Sequence, residues 1–206
     1  MDSAYHHILQ LARERGVISA RDLAAHDLPR RYLTRLADRG ELERVARGLY
    51  ALPDRESSAY HDIAITARRV PDAVCCLLTA LHLHEMTTHI PFEVWLALPH
   101  RAWEPTPDSV PLRTVRMNET TYTAGVEVQE LERVTVRVFE PAKTVADCFK
   151  YRSLVGLDVA LDALAAYQKR RSASERWSPD RLWHFAEITR MQRVMRPYLE
   201  AFASGA

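Results

Sequence analysis

Six arginines, Arg30, Arg31, Arg35, Arg39, Arg44 and Arg47, stand between Pro29 and Gly48, against three acids, Asp38, Glu41 and Glu43. The chain as a whole carries a formal net charge of only +1. A guanidinium presents a rigid fork of donors that fits the guanine edge or a phosphate. With the Thr34 hydroxyl, this cluster has the chemistry of nucleic-acid contact. On an isolated helix the same residues read as a solvated face, with pairs such as Arg35–Glu41 and Arg39–Glu43. The elements that carry them decide between the two readings.

Other constellations point elsewhere or nowhere. His-Glu-Met-Thr-Thr-His, residues 84–89, is one residue too long for a helical zinc pair. Its two histidines would lie about 140° apart around a helix. Packing or surface histidines are the better reading. There is no glycine-rich phosphate loop and no Gly-x-Ser-x-Gly elbow. Cys148 lies on an apolar-periodic helix and reads as a buried structural thiol. Glu130 and Glu132 read as an exposed strand face. Lys143, Asp147 and Lys150 fall at i, i+4 and i+7, a solvent-facing ion-pair row or, alternatively, a functional face. The expectation is a chain without catalytic residues, metal or cofactor, hence not an enzyme.

The elements around the arginines form an ordered series. Ser3 can cap a first helix with Ile8, Leu9, Leu11 and Ala12 on one stripe, ended by Gly16. Val17 and Ile18 make a short apolar step. Ser19 caps a second short helix, with Asp22 completing part of a capping box. Pro29 suits the first position of a third helix, which buries Leu33, Leu36 and Ala37 and stops at Gly40. Leu42–Ala46 and Leu49–Leu52 form a hairpin turning at Arg47-Gly48. Helix, short strand, helix, helix and hairpin in some fifty residues match a winged helix-turn-helix. In that motif the N-terminal residues of the second motif helix meet base edges in the major groove. Arg30, Arg31, Thr34, Arg35 and Arg39 are then recognition-helix candidates, and Arg44 and Arg47 are wing candidates.

The fold class expected is α+β: a winged helix-turn-helix over residues 1–53, a polar linker over 54–62, and a mixed α/β domain over 63–206 with a helical C-terminal third. In the second domain, a helix near 59–70 precedes an apolar segment, 73–84. Residues 93–99 read as a buried strand, 100–111 as a proline-rich loop and 112–117 as a strand. Residues 126–140 read as a hairpin turning at Glu132-Arg133. Pro141 starts a helix with Ala142, Val145, Ala146 and Phe149 inward. An amphipathic helix follows from Gly156 to Arg171, with Leu157, Ala160, Leu161 and Leu164 on one face. Ser178-Pro179 opens another helix, and a last one runs from Met191 toward Phe202.

Composition sets the frame. Apolar residues make up 47% and charged residues 27%, enough to bury a core. The cysteines number three, with Cys75 and Cys76 adjacent, a pattern of free thiols in a reducing compartment. No leader and no membrane-length apolar run is read, so a cytoplasmic protein is expected.

The run RGVISARDLAAHDLPRRYLTRLADRGELERVARGLYALP resembles the N-terminal domain of AbiEi-type antitoxins of type IV toxin–antitoxin systems. CLLTALHLHEMTTHIPFEVWLALP, TAGVEVQELERVTVRVFEPAKTVADCFKYR, GLDVALDAL and RVMRPYLEA resemble the same family's C-terminal part. The resemblance implies an autorepressor that binds inverted repeats in double-stranded operator DNA, an arrangement compatible with a homodimer on the DNA. It implies a cognate nucleotidyltransferase-like toxin, neutralised by the C-terminal domain without a general need for direct contact. Two alternatives stay open: a winged-helix transcription factor with a partner- or ligand-sensing domain, and a DNA-targeted nuclease. EVWLALP lacks the lysine partner that a nuclease strand would carry.

Overall fold

The structure is a computed structural model that describes residues 3–54, 59–106, 110–170 and 177–204. The expected linker and proline-rich loop lie in part outside these residues. The described residues form a mixed α/β chain of eleven helices and two sheets. They divide into two units. The first is residues 1–72 with 105–111 and 128–136; the second is residues 73–104, 112–127 and 137–206.

The first unit opens with helix α1 (Ser3–Arg15), strand β1 (Val17–Ser19), α2 (Ala20–Ala24) and α3 (Arg31–Asp38). Strands β2 (Glu43–Ala46) and β3 (Leu49–Ala51) follow, then α4 (His61–Arg69). The three strands pair antiparallel in the order β1-β3-β2, with Val17 opposite Ala51 and Glu43 also opposite Ala51. Ile8, Leu11 and Ala12 of α1 pack with Ile18, Leu23, Leu33, Leu36 and Leu42 in one core. This is the winged helix-turn-helix expected from the helix stops and the hairpin.

Two local details differ from expectation. Helix α3 begins at Arg31, not at Pro29. Pro29 and Arg30 carbonyls accept from Tyr32 and Leu33 amides, so the entry turn is of the tighter i→i+3 kind. Secondly, α4 falls in the first unit, where the sequence reading put it beyond the domain. Its Arg68 reaches Asp22 of α2, a link 46 residues long that no local pattern reveals.

Asp22 is nearly buried and accepts hydrogen bonds from Ser19 N (2.8 Å), Ser19 Oγ (2.7 Å), Arg15 (2.7 Å) and Arg68. Burial raises its pKa, but the Arg68 and Ser19 hydrogen bonds and the Arg68 charge outweigh that and hold it at about 2. The unfolded value is ~3.9. A depressed carboxylate stabilises the fold fully above its unfolded pKa and loses that contribution as pH falls through the folded one. The window here runs from about pH 4 to pH 2, and the contribution is on the order of 2 kcal/mol. Asp22→Asn is expected to lower the melting temperature at pH 7 and to flatten the acid limb, read by circular dichroism from pH 5 down to pH 2. An unchanged acid limb would count against this role.

Gly16 has φ +68°, and a Cβ there would meet the Glu132 carbonyl oxygen at 2.2 Å. Gly48, with φ +76°, has nothing within 4 Å of such a Cβ. The left-handed backbone alone costs a non-glycine residue about 1–2 kcal/mol. Gly16→Ala is therefore expected to destabilise clearly more than Gly48→Ala in thermal melts; equal losses would contradict the close approach.

The second sheet has five strands in the order β6-β5-β4-β8-β7. In chain order the elements from here are β4 (Val74–Cys75), α5 (Leu77–Leu83), β5 (Val94–Pro99), β6 (Leu112–Met117), α6 (Glu119–Thr123), β7 (Val126–Leu131) and β8 (Val134–Phe139), with residues 128–136 of the last two counted in the first unit. Strand β5 is parallel to β6 and antiparallel to β4, and β4 is parallel to β8. Val94–Leu98 are all buried, which explains the unbroken apolar run of β5. The β7–β8 turn sits at Glu132-Arg133 as expected, with φ +49° and +65°. Positive φ at both central residues is the signature of the hairpin-compatible primed turn.

Helices α7 (Pro141–Lys150), α8 (Arg152–Val155), α9 (Leu157–Lys169), α10 (Pro179–Ile188) and α11 (Gln192–Ser204) complete the unit. Helix α7 is central and packs against α5, α9 and α10, so Pro141–Phe149 are all buried. The reading of Lys143 and Asp147 as part of a solvent-facing row is overturned: both are wholly buried and ion-paired. The face of α9 is also rotated from expectation, burying Ala160, Ala163, Leu164 and Tyr167 and leaving Leu157 exposed.

Candidate nucleic-acid interface

Helix α3 buries Leu33 and Leu36 and turns Arg31, Thr34, Arg35 and Asp38 to solvent. These four positions are i, i+3, i+4 and i+7, one face of a helix. Arg30 precedes them at the N-cap and is exposed as well. Tyr32, half-buried, packs edge-on to Tyr5 at 5.1 Å, fixing the rotation of α3 about its axis. The Arg31 guanidinium lies 5.6 Å from the Tyr32 ring centroid. The cationic end of the row is its N-terminal end, and Asp38 closes it at the other.

The hairpin supplies the second half. Arg44 lies opposite Tyr50, and the register shifts between Arg44 and Ala46, a bulge that bends β2. Arg47 and Gly48 form the exposed turn between β2 and β3. A groove of about 550 Å³ runs between α3 and the hairpin, lined by Thr34, Asp38, Glu43, Arg44 and Tyr50 among others. Helix row and wing thus border one concave surface.

Arg39 stands apart from the rest. Its guanidinium sits 4.8 Å from the Tyr5 ring centroid and 3.9 Å from Glu41. Sequence spacing pairs Arg39 with Glu43 and Arg35 with Glu41. Glu41 is instead the acid beside Arg39. Arg21, exposed on α2, was not singled out in the sequence. It lies on the first helix of the motif, the one that crosses the DNA backbone in such folds. A lone arginine on a five-residue helix gives no periodic signal by which to find it.

Residues 7–53 match the family model described as "Transcriptional regulator, AbiEi antitoxin". The N-terminal region is thus similar to AbiEi antitoxins, as the sequence resemblance implied. The matched residues span α1 from His7 through the wing and include all seven arginine and threonine candidates. The AbiEi-type match supports an antitoxin and transcriptional-regulator role. The later stretches that carry the same resemblance, all beyond residue 53, lie outside the matched residues. No curated protein matches the chain.

The other sequence candidates resolve into packing. His84 is buried, its Nε2 2.7 Å from the Phe139 carbonyl oxygen, whereas His89 is exposed. Among the described residues, no group of three or more His, Cys, Asp or Glu could hold a metal ion. Cys75, Cys76 and Cys148 are free and buried. Burial pushes the Cys75 thiol up to about 12 and raises Cys76 and Cys148 as well. None of the three is the accessible thiolate that nucleophilic chemistry requires. Glu132 does not lie on an exposed strand face: it sits in the β7–β8 turn, 2.7 Å from His61 Nδ1. No helix among the described residues is long and apolar enough to cross a membrane.

Proposed function

We propose that this chain is a DNA-binding autorepressor and the antitoxin of a type IV toxin–antitoxin operon. The observation that carries the reading is the exposed row Arg30, Arg31, Thr34 and Arg35 on α3, backed by buried Leu33 and Leu36. Helix α3 enters a major groove of double-stranded operator DNA, with Arg31 and Arg35 at base edges or phosphates. Arg44 and Arg47 hold the backbone or minor groove from the wing, and Arg39 adds a flanking phosphate contact. Inverted repeats recruit two copies, consistent with a homodimer on DNA. The AbiEi-type match supports the regulator role, and the wider resemblance supports a nucleotidyltransferase-like toxin as partner.

The test is a reporter driven by the DNA upstream of this gene. The wild-type chain is expected to silence it, and the Arg31→Ala/Arg35→Ala double variant to restore expression. Co-expression with the nucleotidyltransferase-like product of the neighbouring gene should relieve its toxicity. Because repression and neutralisation are separate activities, the double variant should still relieve toxicity. A reporter indifferent to the wild-type chain would exclude autorepression.

A further inference from the structure

A pocket of about 380 Å³ in the second unit has the makings of an anion site. Its polar lining is Asn118, Thr121, Lys150, Thr189 and Arg190, and no carboxylate lines it. Neither Lys150 nor Arg190 has an ion-pair partner among the described residues. Lys150 closes α7, half-buried, with its Nζ 5.8 Å from the Tyr151 ring centroid. Burial pulls its pKa down, Asp147 opposes that, and the charges of Lys143 and Arg190 add to the fall. Two cations that repel each other are therefore held at one pocket.

The backbone at Arg190 is a second observation. Thr189 caps α10; Met191 N donates to Ala186 O (2.7 Å) and Arg190 N to Glu187 O (2.9 Å). That pair of bonds is a complete Schellman motif, whose left-handed residue is usually glycine. Here it is arginine, with φ +61°. Arg190, an exposed residue, thus lines the pocket in a backbone conformation that glycine would adopt more cheaply.

Asn118, an exposed residue of the lining, offers a third donor. Its Oδ1 accepts from Thr121 N (2.9 Å) and Thr121 Oγ1 (3.0 Å), which leaves its Nδ2 hydrogens without an acceptor among the described residues. The Thr189 hydroxyl donates to Phe185 O (2.7 Å), so it is already committed. Two cations and one amide donor, with no competing carboxylate in the lining, fit a tetrahedral dianion.

We infer that this pocket binds a phosphate group, as inorganic phosphate or as the phosphate of a small monoester, between Lys150, Arg190 and Asn118. The ligand makes the second unit a sensor of a small phosphorylated species, apart from the DNA face of the first. The experiment is thermal unfolding of the full chain followed by tryptophan fluorescence. All four tryptophans lie in the second unit. Inorganic phosphate and AMP are each titrated against sodium chloride at equal ionic strength. A rise in melting temperature with phosphate assigns the free ion, and a rise with AMP alone assigns a monoester. Arg190→Gly and Lys150→Gln should each weaken the response by about tenfold or more, the scale of a lost charge-assisted hydrogen bond. Arg190→Gly should also melt no lower than wild type without ligand, since glycine suits that backbone. No response beyond that of chloride, or a full response in both variants, would overturn the site.

Discussion

Lys143→Met is expected to destabilise the second unit by about 3–5 kcal/mol, the cost of leaving one member of a buried ion pair alone. Lys143 Nζ bonds Asp147 Oδ2 and lies 4.1 Å from the Phe139 ring centroid. Both residues are fully buried. Asp147 Oδ1 already lacks a partner among the described residues. Burial raises the Asp147 pKa, and Lys143 is the chief group opposing that rise. Removing the ammonium therefore leaves a buried carboxyl group that has lost its hydrogen-bonded partner, with only the Lys150 charge left to oppose its desolvation. A Lys143→Met/Asp147→Leu double variant removes both charges and should recover most of the loss, because a buried pair can often be exchanged for apolar packing. Urea unfolding followed by tryptophan fluorescence reports this unit specifically. If the double variant were as unstable as the sum of the singles, packing rather than charge pairing would be the cause.

The double substitution Arg31→Ala/Arg35→Ala should weaken operator binding by about 2–6 kcal/mol, since a lost base contact typically costs about 1–3 kcal/mol. Where an arginine holds a phosphate instead, the loss is spread evenly over sequences and the salt slope falls by about one per contact. The fold should survive, because both side chains are exposed and the α3 core is made by Leu33 and Leu36. Arg39→Ala is expected to do less to DNA binding, because its guanidinium is already engaged over Tyr5 and beside Glu41. Competition binding against operator and scrambled DNA separates base reading from phosphate holding.

The winged helix was legible because most of its boundaries are marked by a residue with a local reason, the start of α3 at Arg31 being the exception. Gly16, Gly40 and Gly48 all take positive φ at element ends. Ser19 and Asp22 share hydrogen bonds at the start of α2. The β7–β8 turn was legible at Glu132-Arg133 without a glycine, from the alternating runs on either side. Short elements escaped, among them α6 and α8, since four or five residues show no full period. The misreading of α7 has a physical cause as well. Helical periodicity assumes one wet face, and α7 has none among Pro141–Phe149. Its charges are tolerated inside because Lys143 and Asp147, four apart, neutralise each other. The Asp22–Arg68 link and the grouping of α4 with the winged helix depend on tertiary contact and left no trace in spacing.

The most direct test of the account is fluorescence anisotropy with labelled DNA from directly upstream of this gene, against scrambled DNA, across a salt series. Tight, sequence-selective binding whose affinity falls steeply with salt is expected, with a shallower slope for Arg31→Ala/Arg35→Ala. Weak or unselective binding by the wild-type chain, or a double variant indistinguishable from it, would contradict the assignment of α3 as the DNA-reading helix.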